Sequence, residues 1–456
     1  MMSDLTLEAL EIWTAGLDAV RAEPLVRNSI RLDGNQLVID GQAWSRDSFD
    51  RIVLIGGGKA GTAMAQGFVD AIDGWLPITG WINVPAGTEA EIRDVKIHAA
   101  RPASVNEPTA EGVLGTSEIL SLVSQAGPRD LCVALISGGG SALLPAPLEG
   151  ITLQDKQAVT RSLSGRGADI TELNTVRKHL SQIKGGGLLK ACRGGHLITL
   201  ILSDVLGDPL DVIASGPTVT DSTTAADALA VLAKYDPDHS LSASIYTTLN
   251  RGLIPENTVH PSIVPATNLV IGNNAVAVDH AGIRAEQLGY NHVMQSARQC
   301  EGGAEQVGKH FADMTLQMLR PQSNSHQTDC LITGGEPIVK LAPPSRRGRG
   351  GRNQQLVLAA YLRLLEYELT EQEWQRFSIL SGGTDGEDGP TDAAGAIIDG
   401  AVHRRIQKSP LDPLDFLQRN DAYNFFKAVN GLLMTGPTGT NVCDIRVAVV
   451  DTNINR

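Results

Sequence analysis

Short apolar runs that end in glycine-rich turns recur along this chain of 456 residues. Four of these turns carry or face a charged residue, and they lie at residues 55–61, 136–141, 333–336 and 380–386. Glycine lets backbone N–H groups approach a phosphate closely, and the N-terminus of a following helix adds partial positive charge. The chain is therefore predicted to contain strand–turn–helix units and a cleft that handles phosphate.

Strand-like and helix-like segments alternate along the chain. Strands are predicted at residues 51–55, 81–84, 131–136, 197–202, 269–271, 330–332, 377–380, 432–434 and 446–450, and helices at 4–21, 60–72, 109–126 and 353–369. This alternation favours an α/β fold with largely parallel sheets. A typical domain has about 150 residues, so the length favours two or three domains. Polar, proline-punctuated stretches place one boundary near residues 240–265 and a sub-boundary near 325.

Charge and hydropathy exclude several classes of protein. The formal net charge of -13 opposes non-specific nucleic-acid binding, which needs a basic surface, so an anionic ligand must be held by a local basic cluster. No run approaches the roughly 18 apolar residues that a membrane span needs. The acidic, amphipathic start lacks the basic and apolar regions of a signal peptide, which predicts a cytoplasmic protein. A homo-oligomer is left open.

The first glycine turn follows the predicted strand at residues 51–55. Gly56, Gly58 and Gly61 satisfy G-x-G-x-x-G, the spacing of a dinucleotide-binding turn, and Gly57 lies within it. The next strand lacks the carboxylate that would hold an adenine ribose. Lys59 suits a phosphoryl group or a carboxylate better than a neutral nicotinamide. We favour an anion-binding Lys59, with a dinucleotide turn and a structural turn as the alternatives.

The second glycine turn has hydroxyl groups on both sides. Ser137 and Ser141 flank Gly138, Gly139 and Gly140 after a predicted strand. Amides and hydroxyls in this arrangement can hold a phosphate or the carboxylate of a sugar acid. A tight turn in which Ser141 caps the next helix explains the sequence equally well.

A basic segment follows at residues 174–187. Asn174, Arg177, Ser181 and Lys184 are spaced at i, i+3, i+7 and i+10, which predicts one polar helix face that ends in three glycines and points at an anion. The alternative is a solvated helix face with a glycine cap.

An acidic residue follows the predicted strand at 197–202. Asp204 would project from the carboxyl end of a parallel strand into the crevice where open α/β sheets bind ligands. There it could orient or deprotonate a substrate hydroxyl, or hold Mg²⁺; an Asx-turn is the alternative. Ser215, further along, lies in a turn that either faces the substrate or is simply a loop.

The second half contributes a basic loop and an acidic loop. Four arginines fall within residues 346–352, and Arg352 stands at a predicted helix start, where a guanidinium can bind phosphate; solvated surface is the alternative. Gly335 and Glu336 end the strand before this loop. Asp385 lies in the acidic turn, where it could ligate magnesium or contact a substrate hydroxyl. Asn441 lies in a turn of small hydroxylated residues, for which a simple hairpin is the alternative.

Taken together, these segments resemble the glycerate 2-kinase family, whose C-terminal part is the MOFRL domain. The resemblance rests on motifs that run in order over nearly the whole chain: GGGKAG at 56–61, ISGGGSALLPAP at 136–147, LNTVRKHLSQIKGGGL at 173–188, LSDVLGDP at 202–209, IASGPT at 213–218, GRGGRNQ at 348–354, GGTDGEDGPTDAAGA at 382–396 and TGPTGTNVCD at 435–444.

The resemblance implies two Rossmann-like α/β domains, at residues 1–250 and 251–456, with an active site in the interdomain cleft. The second domain would contain the MOFRL region at about 328–450. It further implies transfer of the γ-phosphoryl group of ATP to the 2-hydroxyl of D-glycerate with Mg²⁺. Lys59, Asp204 and Arg352 are the catalytic candidates.

The remaining candidates divide by ligand. Nucleotide contacts are expected from Gly56, Gly57, Gly58, Ser137, Gly138, Gly139, Gly140, Ser141, Lys184, Gly335 and Glu336. Contacts to the sugar acid are expected from Asn174, Arg177, Ser215, Asp385 and Asn441, and Asp385 is also the candidate metal ligand.

Two positions depart from the family pattern. Arg101-Pro102 stands where a His-Pro pair is usual, and Asn273 stands where an acidic residue is common. The added positive charge at Arg101 predicts a more acidic or longer sugar acid. Rival hypotheses are a kinase of another sugar acid, an NAD(P)H-dependent hydroxypyruvate reductase and a non-catalytic sugar-acid sensor.

Overall fold

The computed structural model describes residues 3–103, 105, 107–254, 264–321 and 328–452. The chain divides into two compact units. We call Ala22–Ile271 the central unit, and Met1–Arg21 together with Gly272–Arg456 the terminal unit. Parts of the boundary predicted near 240–265 and of the sub-boundary near 325 lie outside the described residues. Among the described residues, no helix combines the length and apolar character that crossing a bilayer requires.

The first helix, α1 (Asp4–Ala19), belongs to the terminal unit, although the sequence grouped it with a domain at residues 1–250. Its apolar face is buried there, and the indole Nε1 of Trp13 donates to the carbonyl of Ile445 at 3.1 Å. Thr6 Oγ1 donates to Asp399 Oδ2 at 2.7 Å. These long-range contacts explain why the compact units divide the chain differently from the predicted domains.

The central unit contains a three-stranded antiparallel meander and a six-stranded sheet with helices. The meander consists of β1 (Ile30–Asp33), β2 (Gln36–Ile39) and β3 (Gln42–Ser45), and the larger sheet of β4 (Arg51–Gly57), β5 (Ile78–Pro85), β6 (Val95–Arg101), β7 (Asp130–Ile136), β8 (His196–Leu202) and β9 (Ala266–Gly272). The helices are α2 (Ala22–Ser29), α3 (Gly61–Ala71), α4 (Ala110–Ser124), α5 (Gly140–Leu143), α6 (Leu153–Gly165), α7 (Ile170–Lys178), α8 (Gly187–Ala191), α9 (Ala225–Tyr235) and α10 (Ala243–Arg251).

The order of strands in the larger sheet locates a ligand crevice. The order is β6-β5-β4-β7-β8-β9, and the four neighbouring pairs from β6 to β8 are parallel. Every residue of β7 is buried, as expected for a strand covered on both faces. The chain leaves β4 in one direction and returns beyond it as β7, so the strand order reverses between them. Ligands of open α/β sheets bind at the carboxyl ends of the strands at such a reversal.

The terminal unit has a mixed sheet. Its strands are β10 (His292–Ser296), β11 (Cys330–Gly335), β12 (Phe377–Gly383), β13 (Gly395–Asp399), β14 (Leu432–Leu433) and β15 (Asp444–Val450). The helices after α1 are α11 (Asn274–Gln287), α12 (Ala304–Leu319), α13 (Arg352–Leu365), α14 (Glu371–Trp374), α15 (Gly400–Gln407), α16 (Pro413–Gln418) and α17 (Ala422–Ala428).

The predicted α/β class is confirmed, but the terminal sheet is not largely parallel. Its order is β10-β11-β15-β12-β13-β14, and only β10 and β11 pair in parallel among the described strands. The last strand, β15, runs antiparallel between β11 and β12 and completes the ladders of both. The connection from β12 to β13 contains no described helix, so these strands return side by side as antiparallel neighbours.

Helix α13 brings Arg352 to the carboxyl ends of β11 and β12. Most of this helix is buried, and its first turn is capped by Asp388, whose carboxylate accepts from the N–H groups of Asn353 at 3.0 Å and Gln354 at 2.8 Å. A Cβ at Gly351 would lie 2.2 Å from Asp388 Oδ1, so only glycine permits this approach. The cap fixes the start of the helix and therefore the direction in which Arg352 leaves it.

Candidate active site

The glycines of the first turn serve close packing of backbone against backbone. A Cβ at Gly56 would lie 2.1 Å from the carbonyl oxygen of Leu135, and one at Gly58 would lie 2.0 Å from Ser137 Oγ. The N–H groups of Gly58, Lys59, Ala60 and Gly61 all donate within the protein. These four amides are therefore occupied, and nucleotide binding by Gly56, Gly57 and Gly58 stays a prediction. Lys59 itself is exposed at the turn.

The second turn offers donors that the first does not. Within the described part of the chain, no hydrogen bond is made by the N–H group of Gly138 or of Gly139. Gly139 has φ of +78°, a left-handed conformation that favours glycine. Ser141 lies inside the short helix α5, and Gly139 occupies the cap position that the alternative had given to Ser141. This turn is thus the better candidate for holding an anion through backbone N–H groups.

A strained turn packs against the second glycine turn. Ala214 and Ser215 have φ of +50° and +64°, which is costly for residues with a Cβ. The Ser215 hydroxyl donates to Asn174 Oδ1 at 3.1 Å and lies 2.9 Å from the hydroxyl of Ser141. The Ser215 carbonyl accepts from the N–H of Gly185 at 2.9 Å. The structure thus brings together Asn174, Ser141 and Ser215, and the strain is held by contacts on several sides.

The predicted helix face at 174–184 is wrong in its second half. Helix α7 ends at Lys178, so Ser181 and Lys184 do not share a helix with Asn174 and Arg177. The chain turns back instead, and Lys184 Nζ donates to the carbonyl of Ser141 at 2.9 Å and to that of Ala214 at 3.4 Å. Lys184 therefore lies near the strained turn that contacts Asn174, as the spacing predicted, but tertiary contacts and not a shared helix face bring it there.

Three cations are packed together behind these turns. Burial and the neighbouring Arg177 lower the pKa of Lys156 to about 7. Burial lowers the pKa of Lys184 well below its usual value, and the cations of Arg177 and Lys156 add to the shift. Burial also lowers the pKa of Arg177. The charged neighbours that shift the pKa values of these two lysines are, among the described residues, Arg177 and Lys156, so a bound anion would be favourable here.

Lys156 was missed by the sequence analysis, although a signal was present. It lies on α6 with Val159 at i+3 and Leu163 at i+7, both fully buried. A lysine at that spacing falls on the apolar face of the helix. Its ammonium donates to the carbonyl of Leu180 at 3.0 Å.

Asp204 stands where the sequence placed it. It lies two residues beyond the end of β8 and is half-buried. Strand β8 is parallel to β7, so Asp204 lies at the same edge of the sheet as the second glycine turn. This edge of the central unit therefore carries a cationic cluster, free backbone donors and a carboxylate.

In the terminal unit, Arg352 is paired with two carboxylates. Its Nε and Nη2 donate to Asp444 Oδ2 and Oδ1 at 2.6 and 3.0 Å, and its Nη1 donates to Glu336 Oε1 at 2.8 Å. Burial and the nearby Asp444 raise the pKa of Glu336, while Arg352 opposes the shift. The three side chains together carry a formal net charge of -1 when both carboxyl groups are ionised.

Asp444 was also missed, although it closes the last family motif. It is the first residue of β15 and lies opposite Gly335 of β11 and Gly383 of β12. Its side chain is fully buried. Only the antiparallel insertion of β15 puts this carboxylate beside Arg352. Below it, Arg446 is paired with Glu301 at 2.9 and 2.6 Å, directly against Gly335.

The acidic turn places a third carboxylate, that of Asp385, at the same edge. A Cβ at Gly383 would lie 3.1 Å from Asp385 Oδ1 and 3.6 Å from Asp444 Oδ1. Asn441 Oδ1 accepts from the N–H of Cys443 at 3.2 Å. Within the described residues, no group of three or more histidine, cysteine or acidic side chains is arranged to hold a metal ion. Mg²⁺ in phosphoryl-transfer sites needs only one or two protein carboxylates, with waters and phosphates completing its shell, and Asp385 fits that requirement.

Two family models match the chain. The model described as "Domain of unknown function (DUF4147)" matches residues 8–250, and the model described as "MOFRL family" matches residues 329–444. The first match covers more than half of the chain.

Curated relatives match it over almost their full length. The chain is 35% identical to "Glycerate kinase" of Danio rerio, covering 98% of each protein. It is 37% identical to "D-glycerate 2-kinase" of Thermotoga maritima over 88% of this chain and 91% of that protein.

Solved structures share the fold. The crystal structure of a glycerate kinase from Thermotoga maritima matches with a TM-score of 0.80 and 33% identity, covering 98% of this chain and 99% of that one. A structure from Pyrococcus horikoshii matches with a TM-score of 0.81 and 32% identity, covering 99% and 100%.

Proposed function

We propose that this chain, which belongs to the glycerate 2-kinase family with a C-terminal MOFRL domain, is an ATP-dependent kinase of D-glycerate. The γ-phosphoryl group would pass to the 2-hydroxyl and give 2-phosphoglycerate. Full-length similarity to proteins named glycerate kinase and D-glycerate 2-kinase supports this activity.

The cation cluster of the central unit is the observation that carries the proposal. Lys156, Arg177 and Lys184 lie close enough together that Arg177 lowers the pKa of both lysines and Lys156 lowers that of Lys184. Burying like charges together is unfavourable unless an anion joins them. Both substrates of a glycerate kinase are anions, and a bound phosphate or carboxylate would remove this penalty. We therefore assign the cluster, with Asn174 and Ser215, to ligand binding.

Two residues at the sheet edge suit the chemical step. Lys59 is exposed on the first turn, where its ammonium can neutralise oxygens of the transferring phosphoryl group. Asp204 carries a carboxylate that can orient the substrate hydroxyl and accept its proton as the hydroxyl attacks. Electrostatic stabilisation and positioning supply most of the catalysis in phosphoryl transfer. Lys59 would provide the first and Asp204 the second.

In the terminal unit, we propose that Arg352 binds a phosphate or sugar-acid oxygen. Its guanidinium is half-buried and already oriented by Asp444 and Glu336. A fixed fork of donors loses little conformational freedom on binding. Asp385 is the proposed ligand of Mg²⁺, which would neutralise nucleotide phosphates when bound.

The test is phosphorylation of D-glycerate by the purified protein with ATP and Mg²⁺, followed by ³¹P NMR that resolves 2-phosphoglycerate from 3-phosphoglycerate. We expect the 2-phosphate alone, and no product when Mg²⁺ is chelated. Formation of 3-phosphoglycerate would overturn the proposed regiochemistry. Absence of product with glycerate but turnover of another sugar acid would overturn the substrate and keep the kinase.

Parallel assays separate the remaining classes of function. NADH or NADPH oxidation with hydroxypyruvate would show a reductase instead of a kinase. Binding of sugar acids without any turnover would support a sensor. We expect neither result, because the occupied amides of the first turn leave little of a dinucleotide-binding loop.

A further inference from the structure

Arg101 is a buried cation to which the described residues offer no carboxylate partner. It is the last residue of β6 and only 3% exposed. Its Nη1 donates to the carbonyls of Pro102, Ala103 and Val105. Within the described residues no acceptor reaches its Nε, and its Nη2 makes no hydrogen bond. One edge of the guanidinium, the Nε–Nη2 edge, is therefore unsatisfied.

A second buried arginine, Arg446, has its charge compensated by a carboxylate of the chain. Arg446 is equally buried, at 1% exposure, and its Nη1 and Nη2 donate to both oxygens of Glu301. Its Nε, like that of Arg101, has no acceptor among the described residues, so the two arginines differ in the carboxylate partner and in Nη2. Burying a cation costs a large desolvation free energy unless an anion compensates it. Arg101 lacks that compensation, and burial alone lowers its pKa. No described residue supplies the compensating anion, and a bound ligand could supply it.

The unsatisfied edge lies beside the second glycine turn. A Cβ at Gly139 would lie 3.5 Å from Arg101 Nη2 and 3.4 Å from Cγ of Lys59. The N–H groups of Gly138 and Gly139 are themselves without a hydrogen-bond acceptor in the described chain. Arg101 Nη2 therefore lies beside the backbone of Gly139 at the sheet edge, next to the stem of Lys59, and the unbonded N–H groups of Gly138 and Gly139 belong to the same turn.

We propose that Arg101 binds an oxyanion of the ligand through its Nε–Nη2 edge, at a subsite completed by the N–H groups of Gly138 and Gly139. Two parallel N–H donors match the geometry of a phosphate or a carboxylate, which accepts both at once. This inference rests on the proposed function for the identity of the ligand, since either the nucleotide phosphates or the sugar acid can supply the oxyanion. It adds a specificity-determining residue that the catalytic assignments do not include.

The test compares ligand affinities of the wild-type protein, Arg101→Gln and Arg101→Lys by isothermal titration calorimetry. The ligands are ADP, adenosine, inorganic pyrophosphate and D-glycerate. Loss of a charge-assisted pair should weaken an oxyanion ligand by about tenfold or more in Arg101→Gln. The affinity of Arg101→Lys should lie between those of the wild type and Arg101→Gln, because an ammonium keeps the charge but lacks the forked pair of donors. Adenosine should bind all three proteins equally.

The pattern of losses identifies the source of the oxyanion. If Arg101→Gln binds ADP and pyrophosphate more weakly but D-glycerate with unchanged affinity, the subsite holds nucleotide phosphate. If it binds D-glycerate more weakly but ADP and pyrophosphate with unchanged affinity, the subsite holds the sugar acid. The matched control is Arg93→Gln, an exposed arginine paired with Asp73 on the same unit, which should bind every ligand as the wild type does.

Three outcomes would overturn the proposal. The first is a folded Arg101→Gln protein that binds all four ligands with wild-type affinity. The second is failure of both Arg101 variants to fold, which would make the residue structural. The third is an equal loss of affinity in Arg93→Gln, which would show that the effect comes from the net charge of the protein and not from the position of Arg101. Because these are binding measurements, they stand even if the wild-type protein phosphorylates no glycerate, which would refute the proposed function alone.

Discussion

Both donors on the Nε–Nη2 edge of Arg352 are engaged by Asp444, at 2.6 Å from Nε and 3.0 Å from Nη2. Asp444 is fully buried, whereas the side chain of Glu336, the other partner of Arg352, is 42% exposed. The two carboxylates therefore differ in what they contribute. The buried one fixes the guanidinium, and the exposed one is free to yield to a ligand.

The first prediction concerns these two partners. Asp444→Asn should lower the free energy of unfolding by about 3 kcal/mol, because it removes the fully buried charged partner of a half-buried guanidinium and leaves only the more exposed Glu336. Glu336→Gln should lower it by at most about 1 kcal/mol, because an exposed ion pair is screened by water. Urea unfolding of both variants measures the difference. Equal losses of unfolding free energy in the two variants would contradict the prediction that the buried ion pair contributes more to stability than the exposed one.

The second prediction concerns Lys59. Lys59→Ala should lower kcat by about 100-fold or more, the usual scale for removing a group that stabilises developing charge. Its thermal unfolding temperature should stay close to that of the wild type, because an exposed turn lysine supports no core. Lys96→Ala, which removes an exposed lysine from β6, is the matched control and should keep full activity. Wild-type turnover in a folded Lys59→Ala protein would refute the role.

The third prediction is a pH dependence set by Lys156. The pKa of this lysine is about 7 in the folded protein and about 10.4 in an unfolded chain. Between those values the unfolded state binds more protons, so the free energy of unfolding should rise as pH increases from about 7 to 10. Below about pH 7 both states are protonated and this dependence should vanish.

Lys156→Met tests that assignment. The variant should show a smaller rise in unfolding free energy between pH 7 and 10, measured by urea denaturation at each pH. Lys184 keeps part of the slope, because burial lowers its pKa as well. Lys96→Met should leave the wild-type slope unchanged, and an unchanged slope in Lys156→Met would contradict the prediction.

The fourth prediction concerns the first glycine turn. Gly58→Ala should destabilise the protein by about 2 kcal/mol or more, because its Cβ would lie 2.0 Å from Ser137 Oγ and 2.7 Å from the Ser137 carbonyl oxygen. Gly165→Ala is the control, since a Cβ there meets nothing within 4 Å. That change lies at the end of α6 and should be neutral or stabilising by up to about 1 kcal/mol. Similar unfolding temperatures in the two variants would show that the turn can relax.

The strand–turn–helix units were predictable from the sequence, because their signals are local. Apolar runs predicted β4, β7 and β8, and the glycines predicted the turns that follow β4 and β7. It also placed Asp204 after a parallel strand and Arg352 at a helix start. Each of these depends on residues only a few positions apart, where hydrophobic periodicity and backbone preferences act.

Which of these residues lie close together in the folded protein depends on long-range packing. The return of the chain after α7 brings Lys184 to the carbonyls of Ser141 and Ala214, and burial turns Lys156 into part of the same cation cluster. The antiparallel insertion of β15 supplies Asp444 to Arg352 from 92 residues away. Such contacts depend on how distant segments pack, and burial and charge pairing follow from that packing rather than from neighbours in sequence.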